Sequence, residues 1–154
     1  MSNEKVVPTV QIYLEKDNKY LMLYRNKKKN DMNQGKWLGV GGHVEEGETP
    51  YQAIVRETKE ETGLDLKSAE YRAIINFVND DYVEIIYQYT SSDFTGEVID
   101  CNEGELRWID KSEVLTLPMW EGDKYFLDPL IKNEPFFEIT IVYKNNKLVL
   151  VNKK

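Results

Sequence analysis

GGHVEEGETPYQAIVRETKEETGL, residues 41–64, is the stretch on which the reading of this chain turns. Within it Tyr51, Ile54, Val55, Thr58 and Thr62 recur at i, i+3, i+4, i+7 and i+11, the period of a helix with one mostly apolar face. Thr49 is placed to cap its start, Pro50 fits the first turn, and Gly63 suits a left-handed stop. Glu57, Glu60 and Glu61 stand at i, i+3 and i+4, so the spacing predicts three carboxylates along one side, roughly opposite the apolar face. Like charges so close repel. Arg56 offsets Glu60 at i+4 and Lys59 helps, but neither neutralises the cluster. A hard, oxygen-seeking cation would. Mg²⁺ binds a few carboxylates while keeping sites for water and phosphate oxygens. So loaded, an acidic edge would receive a polyanion, activate a water, and leave a neighbouring glutamate to take its proton.

Working outward, residues 7–15 alternate as a strand, Asp17-Asn18 reads as a turn, and Tyr20–Tyr24 as a second strand. Residues 26–36 form a polar, basic loop leading to WLGVGG, a short strand fragment closed by glycines. Strands are expected at 69–79 and 83–91 around Asp80-Asp81, at Leu106–Ile109, and in a terminal hairpin (136–143 with 148–151) around Asn145-Asn146. Glu121–Ile131 is expected to be a second helix. No repeat or linker divides the 154 residues, so one domain over 1–154 is expected, an α/β (α+β) arrangement of mixed sheet and helices.

Composition narrows the function. Twenty basic against 27 acidic residues give a net charge of −7, which disfavours duplex nucleic acid as a partner but permits a small nucleotide with a cation. No apolar run reaches the roughly 20 residues of a membrane helix, and the N-terminus lacks a secretory pattern. The lone Cys101 forms no internal disulfide, and a cytoplasmic setting is expected. Walker, Rossmann and serine-hydrolase motifs are absent, and the single histidine makes no zinc site.

Gly42, Glu48, Arg56, Glu57, Glu60, Glu61, Gly63 and Leu64 fall at the spacing of the Nudix hydrolase signature, and the chain resembles that family. The departure is Thr58, where the family usually carries an aliphatic residue. The resemblance implies an α-β-α sandwich with a mixed central sheet. It also implies metal ligation by Glu57, Glu60 and Glu61, with the Gly41 carbonyl and an outlying carboxylate. Glu103 is the first candidate for the latter, ahead of Asp100 and Glu105. Glu57 or Glu60 would act as base, Arg56 would orient a glutamate, and Glu48 would support the loop–helix junction or a metal water. Mg²⁺ is the implied cofactor, with Mn²⁺ a possible substitute.

Residues 20–43, 98–109 and 117–137 extend the resemblance to the MutT and MutX branch, which hydrolyses oxidised purine nucleoside triphosphates such as 8-oxo-dGTP. There a tryptophan stacks on the base and acidic groups bond its polar edge; the matching positions are Trp120 and Asp123, with Gly122 replacing a second acid. A base-bonding asparagine of that branch is Leu38 here. A ring with an acceptor one helical turn away is also a sound base platform on physical grounds. Oxidised guanine differs from guanine by an N7 hydrogen and a C8 oxygen, and the sequence shows no residue that reads that edge. Arg25, the run Lys27-Lys28-Lys29, Gly42 and His43 are placed to meet phosphates. The expected activity is release of a monophosphate and pyrophosphate by a monomer or homodimer. Other nucleotides or nucleoside diphosphate derivatives, and a silent nucleotide-binding module, are the alternatives.

Overall fold

The structure, a computed structural model, describes residues 5–27 and 29–154, so Lys28 of the lysine run lies outside the described residues. β1 (Val6–Lys16) organises the rest. Its alternation sends Val10, Ile12 and Leu14 to one side and Tyr13 to the other, so a single strand feeds two cores. Along its first part it pairs in parallel with β7 (Tyr82–Ser91) and antiparallel with β4 (Val40–His43). At Glu15 and Lys16 it turns through Asp17-Asn18 into β2 (Lys19–Tyr24), which carries β3 (Trp37–Leu38) and β9 (Glu105–Asp110). Beyond β7 come β6 (Glu70–Asn79), β10 (Phe137–Lys144) and, at the edge, β11 (Lys147–Lys153). The β10–β6 and β1–β7 pairs are parallel and the others antiparallel, so the large sheet is mixed.

α1 (Pro50–Thr62) packs Ala53 and Ile54 against Val10, Ile12, Leu14 and Val40 on one face. α2 (Lys124–Ile131) packs Phe126, Leu127 and Leu130 against Ile75, Ile139 and Ile141 on the other. This is the expected α-β-α sandwich. Full burial of one such aliphatic side chain contributes about 1.5–3 kcal/mol, so each helix is held chiefly by its apolar stripe. The hairpin turns follow residue chemistry: Asp17, Asn18, Asn145 and Asn146 all adopt positive φ, which the short polar side chains tolerate.

Three local expectations change, and one short strand pair is added. Residues 121–123 form a turn, and α2 begins at Lys124. WLGVGG is two strands split at Gly39: Trp37-Leu38 pairs with β2, and Val40–His43 with β1. Its glycines lie inside the pairing, because a Cβ on Gly41 would sit 1.9 Å from the Val10 carbonyl oxygen. The two-residue strands β5 (Asp65–Leu66) and β8 (Phe94–Thr95), which pair with each other, are too short to carry a periodic signal. Finally, Glu61 is buried with Ala53, Ile54, Thr58 and Thr62, whereas Tyr51 is exposed, so the α1 carboxylates do not all lie on the outer side.

Candidate active site

Thr49 accepts from the Gln52 N–H while Gln52 returns a bond to the Thr49 N–H, a reciprocal cap that sets the helix start. Just before it, Glu48 takes both Nε and an Nη of Arg56, at 2.7 and 2.9 Å. The same guanidinium reaches Glu57 at 2.8 Å, Glu60 at 3.2 Å and the His43 carbonyl at 3.0 Å. Arg56 therefore ties the loop, the helix and the end of β4 together, and its bonds hold the Glu48 carboxyl down at about 2. Lys59 turns away to Asp65 and the Gly63 carbonyl, so it does not relieve the carboxylates as expected.

Glu57 lies against Gly42, where a Cβ would come within 2.5 Å of its carboxyl carbon. Glu61 reaches under β4 and accepts from the Gly41 N–H at 3.0 Å. In an extended strand the N–H and C=O of one residue point to the same edge, so the Gly41 carbonyl also faces the helix side. Burial, contact with Glu103 and the charges of Glu103 and Glu57 push the Glu61 carboxyl far above the ordinary range. Glu57 is raised as well, through burial first, with Arg56 opposing. Glu103 also lies 3.5 Å from Arg25, whose Nε donates to Asp31 at 2.8 Å. Of the other candidates, Asp100 is exposed and Glu105 pairs with Arg107 at 2.8 Å.

In front of Gly41 and Gly42 opens a cleft of about 320 Å³, lined by Arg25, Gly42, His43 and Glu103. Beside it lies a smaller pocket of about 100 Å³, walled by Trp120, Asp123, Phe77 and Phe126. Leu38, Gln11, Asn33, Tyr82, Glu84 and Ile86 line both, so the two spaces adjoin. Trp120 is pinned: its Nε1 donates to Asn33 at 2.8 Å, its ring meets Phe77 and Tyr143 edge-on, and Lys36 Nζ stands 4.6 Å from the ring centre. Asp123 is buried, and that burial raises its carboxyl to about 8. The arrangement is an acidic, arginine-braced helix behind glycines, a cleft in front of them, and a ring-walled pocket at its end.

The NUDIX domain profile matches residues 5–130. The chain belongs to the Nudix family. An uncharacterized Nudix hydrolase of Bacillus subtilis, YvcI, is 29% identical over 136 residues, covering 84% of this chain and 82% of that protein. The oxidized purine nucleoside triphosphate hydrolase of Danio rerio is 28% identical over 71% of each chain. The CTP pyrophosphohydrolase of Escherichia coli is 29% identical over 77% of this chain and 87% of its own. In structure, the MutT protein of Bacillus halodurans superposes with a TM-score of 0.86 over 96% of this chain and 97% of its own, at 24% identity, a likeness of fold. The chain is thus a Nudix-family hydrolase.

Nudix hydrolases typically use divalent cations. Among the described residues, no three carboxylate, imidazole or thiolate side chains converge as a ready ligand set. Arg56 binds Glu48, Glu57 and Glu60, while Glu61 accepts from Gly41 and contacts Glu103. The donor chemistry nonetheless fits a hard cation. It consists of carboxylates, one buried against like charge, and a strand carbonyl on the same edge. Sequence reasoning missed Gln11, Asp31, Asn33, Tyr82 and Glu84 in the lining. Alternation along β1 and β7 puts Gln11, Tyr82, Glu84 and Ile86 on the pocket side, but only their strand pairing shows which side that is.

Proposed function

We propose that this Nudix hydrolase cleaves a purine nucleoside triphosphate to the monophosphate and pyrophosphate, with oxidised purines such as 8-oxo-dGTP preferred. The observation that carries the reading is the cleft that runs from Arg25 and the Gly41-Gly42 edge to a pocket bounded by Trp120 and Asp123. Its lining suits triphosphate at one end, with a cation, and base at the other. Glu57, Glu60, Glu61, Glu103 and the Gly41 carbonyl would hold Mg²⁺ or Mn²⁺. The cation supplies positive charge to the phosphate oxygens and lowers the pKa of the attacking water. Arg56 keeps Glu57 and Glu60 in place, and Arg25, fixed by Asp31, presents its guanidinium to phosphate. A water oxygen bonds to a phosphorus of the α–β linkage. That phosphorus releases the bridging oxygen with its electron pair, and the water's proton passes to Glu57 or Glu60. Asp123, protonated near neutrality, presents both a donor and an acceptor to the polar edge of the base. Such an enzyme would act on the free nucleotide pool of the cytoplasm, removing damaged precursors before polymerisation.

The test measures Mg²⁺-dependent pyrophosphate release from a nucleotide panel by the native protein and Glu57→Gln. A loss of about 100-fold or more is expected in the variant. Equal rates would sink the assignment of the helix. A pyrimidine triphosphate is the competing substrate class, supported by the kinship with the enzyme named for CTP. Faster turnover of CTP than of any purine triphosphate would decide for it.

A further inference from the structure

Glu84 stands on β7 between Tyr82 and Ile86, all facing the nucleotide cleft. Its two oxygens are each pinned by a neutral hydroxyl: Tyr82 donates to Oε1 at 2.7 Å and Thr9 donates to Oε2 at 2.7 Å. Among the described residues no lysine or arginine forms an ion pair with it. Each carboxylate oxygen keeps a second lone pair, and an ionised carboxylate only accepts. The half-buried group is an oriented acceptor held by two neutral hydroxyls and by no cationic donor among the described residues. Substrate is the natural supplier.

Position decides which part of the substrate. Of the two adjoining spaces, Arg25, Gly41, Gly42, His43 and Glu103 line the large cleft alone, Asp123 and Trp120 the small pocket alone, and Glu84 lines both. With phosphates at the glycines and the base at Trp120, Glu84 lies between them. In a purine nucleotide the Watson–Crick edge is farthest from the phosphates, while the five-membered ring and the sugar lie between. Asp123 therefore meets the far edge and Glu84 the near one.

Resting on the nucleotide reading above, we propose that Glu84 determines specificity by accepting a hydrogen bond from the N7–H that 8-oxopurines carry and unoxidised purines lack. An unmodified purine turns an N7 lone pair to the same oxygen, so its acceptor meets an acceptor and both lose water without a bond. Tyr82 and Thr9 are positioning residues that stop the carboxylate from swinging away. A sugar hydroxyl is the other donor within the same span, and the assay must separate the two.

The experiment compares kcat and KM for 8-oxo-dGTP, dGTP and 8-oxo-GTP in the native protein, Glu84→Gln and Tyr82→Phe, with melting curves to verify folding. Glutamine keeps the shape but can turn an N–H toward an unmodified N7. The expected result is a fall of about tenfold or more in the preference for 8-oxo-dGTP over dGTP, carried mainly by KM. Tyr82→Phe should give a smaller fall in the same direction, and the ratio of 8-oxo-GTP to 8-oxo-dGTP should not move. If the native protein turns over these nucleotides and Glu84→Gln leaves the base preference unchanged, the proposal fails while the nucleotide reading stands. A change confined to the ribose-to-deoxyribose ratio overturns it in favour of sugar contact. Absence of turnover of any triphosphate by the native protein overturns both.

Discussion

Two threonines on successive turns of α1, both fully buried, should respond to the same substitution with opposite sign. Thr58 Oγ1 is a buried hydroxyl with no hydrogen-bond partner. Thr62 Oγ1 donates to the Thr58 carbonyl and accepts from the Leu64 N–H at 3.1 Å, closing the helix end. Valine is nearly isosteric with threonine and equally stiff at χ1, so neither replacement opens a cavity. An unsatisfied buried polar group costs about 1–3 kcal/mol, so Thr58→Val should recover about 1–2 kcal/mol. For a chain of this length that raises Tm by about 2–8 °C. Thr62→Val strands the Leu64 N–H and loses its own two bonds, so it should lower stability by about 1–3 kcal/mol. Urea denaturation checks both: the midpoint should move up for the first variant and down for the second, with m unchanged in each. A Thr58→Val midpoint at or below the native one would refute the reasoning, because it would mean that the hydroxyl is satisfied, by an ordered water for example.

The paired glycines separate folding from chemistry. Gly42→Ala pushes only the end of the Glu57 side chain, so hydrolysis should fall about tenfold or more with little change in the melting curve. Gly41→Ala drives its Cβ into the Val10 carbonyl and should lower the melting temperature itself. Asp123 is raised to about 8 in the fold, so the folded chain holds that proton where an unfolded aspartate has lost it. Its contribution is full at acid pH and declines as pH rises from about 4 to about 8, and Asp123→Asn should flatten that part of the stability profile measured by urea titration. Chelation of divalent cations should abolish hydrolysis while leaving the protein folded, as circular dichroism would show, since the two cores do not depend on the carboxylate edge.

Much of the architecture was legible because it rests on local periodicity. The caps of α1, the alternation of β1, and the polar pairs at Asp17-Asn18 and Asn145-Asn146 are each written in adjacent residues. Where the signal was short or ambiguous, the reading failed. Two-residue strands have no period, and the apolar run around Gly39 cannot say which neighbour it pairs with. The site shows the same division. The spacing of Glu57, Glu60 and Glu61 put them near one another, but the sheet over the helix decided that Glu61 is buried and Glu60 exposed.

By itself the sequence determined the Nudix helix, its caps, its carboxylates and a mixed sheet to carry them, because helix geometry relates residues three and four apart without help from the rest of the chain. Only the tertiary structure decided what faces the cleft. Glu84, Thr9 and Tyr82 meet because β7 runs parallel to β1, and Trp120 is fixed by Asn33 from a loop 87 positions earlier. Contacts between strands and loops so far apart depend on register and layer order, which no local pattern encodes.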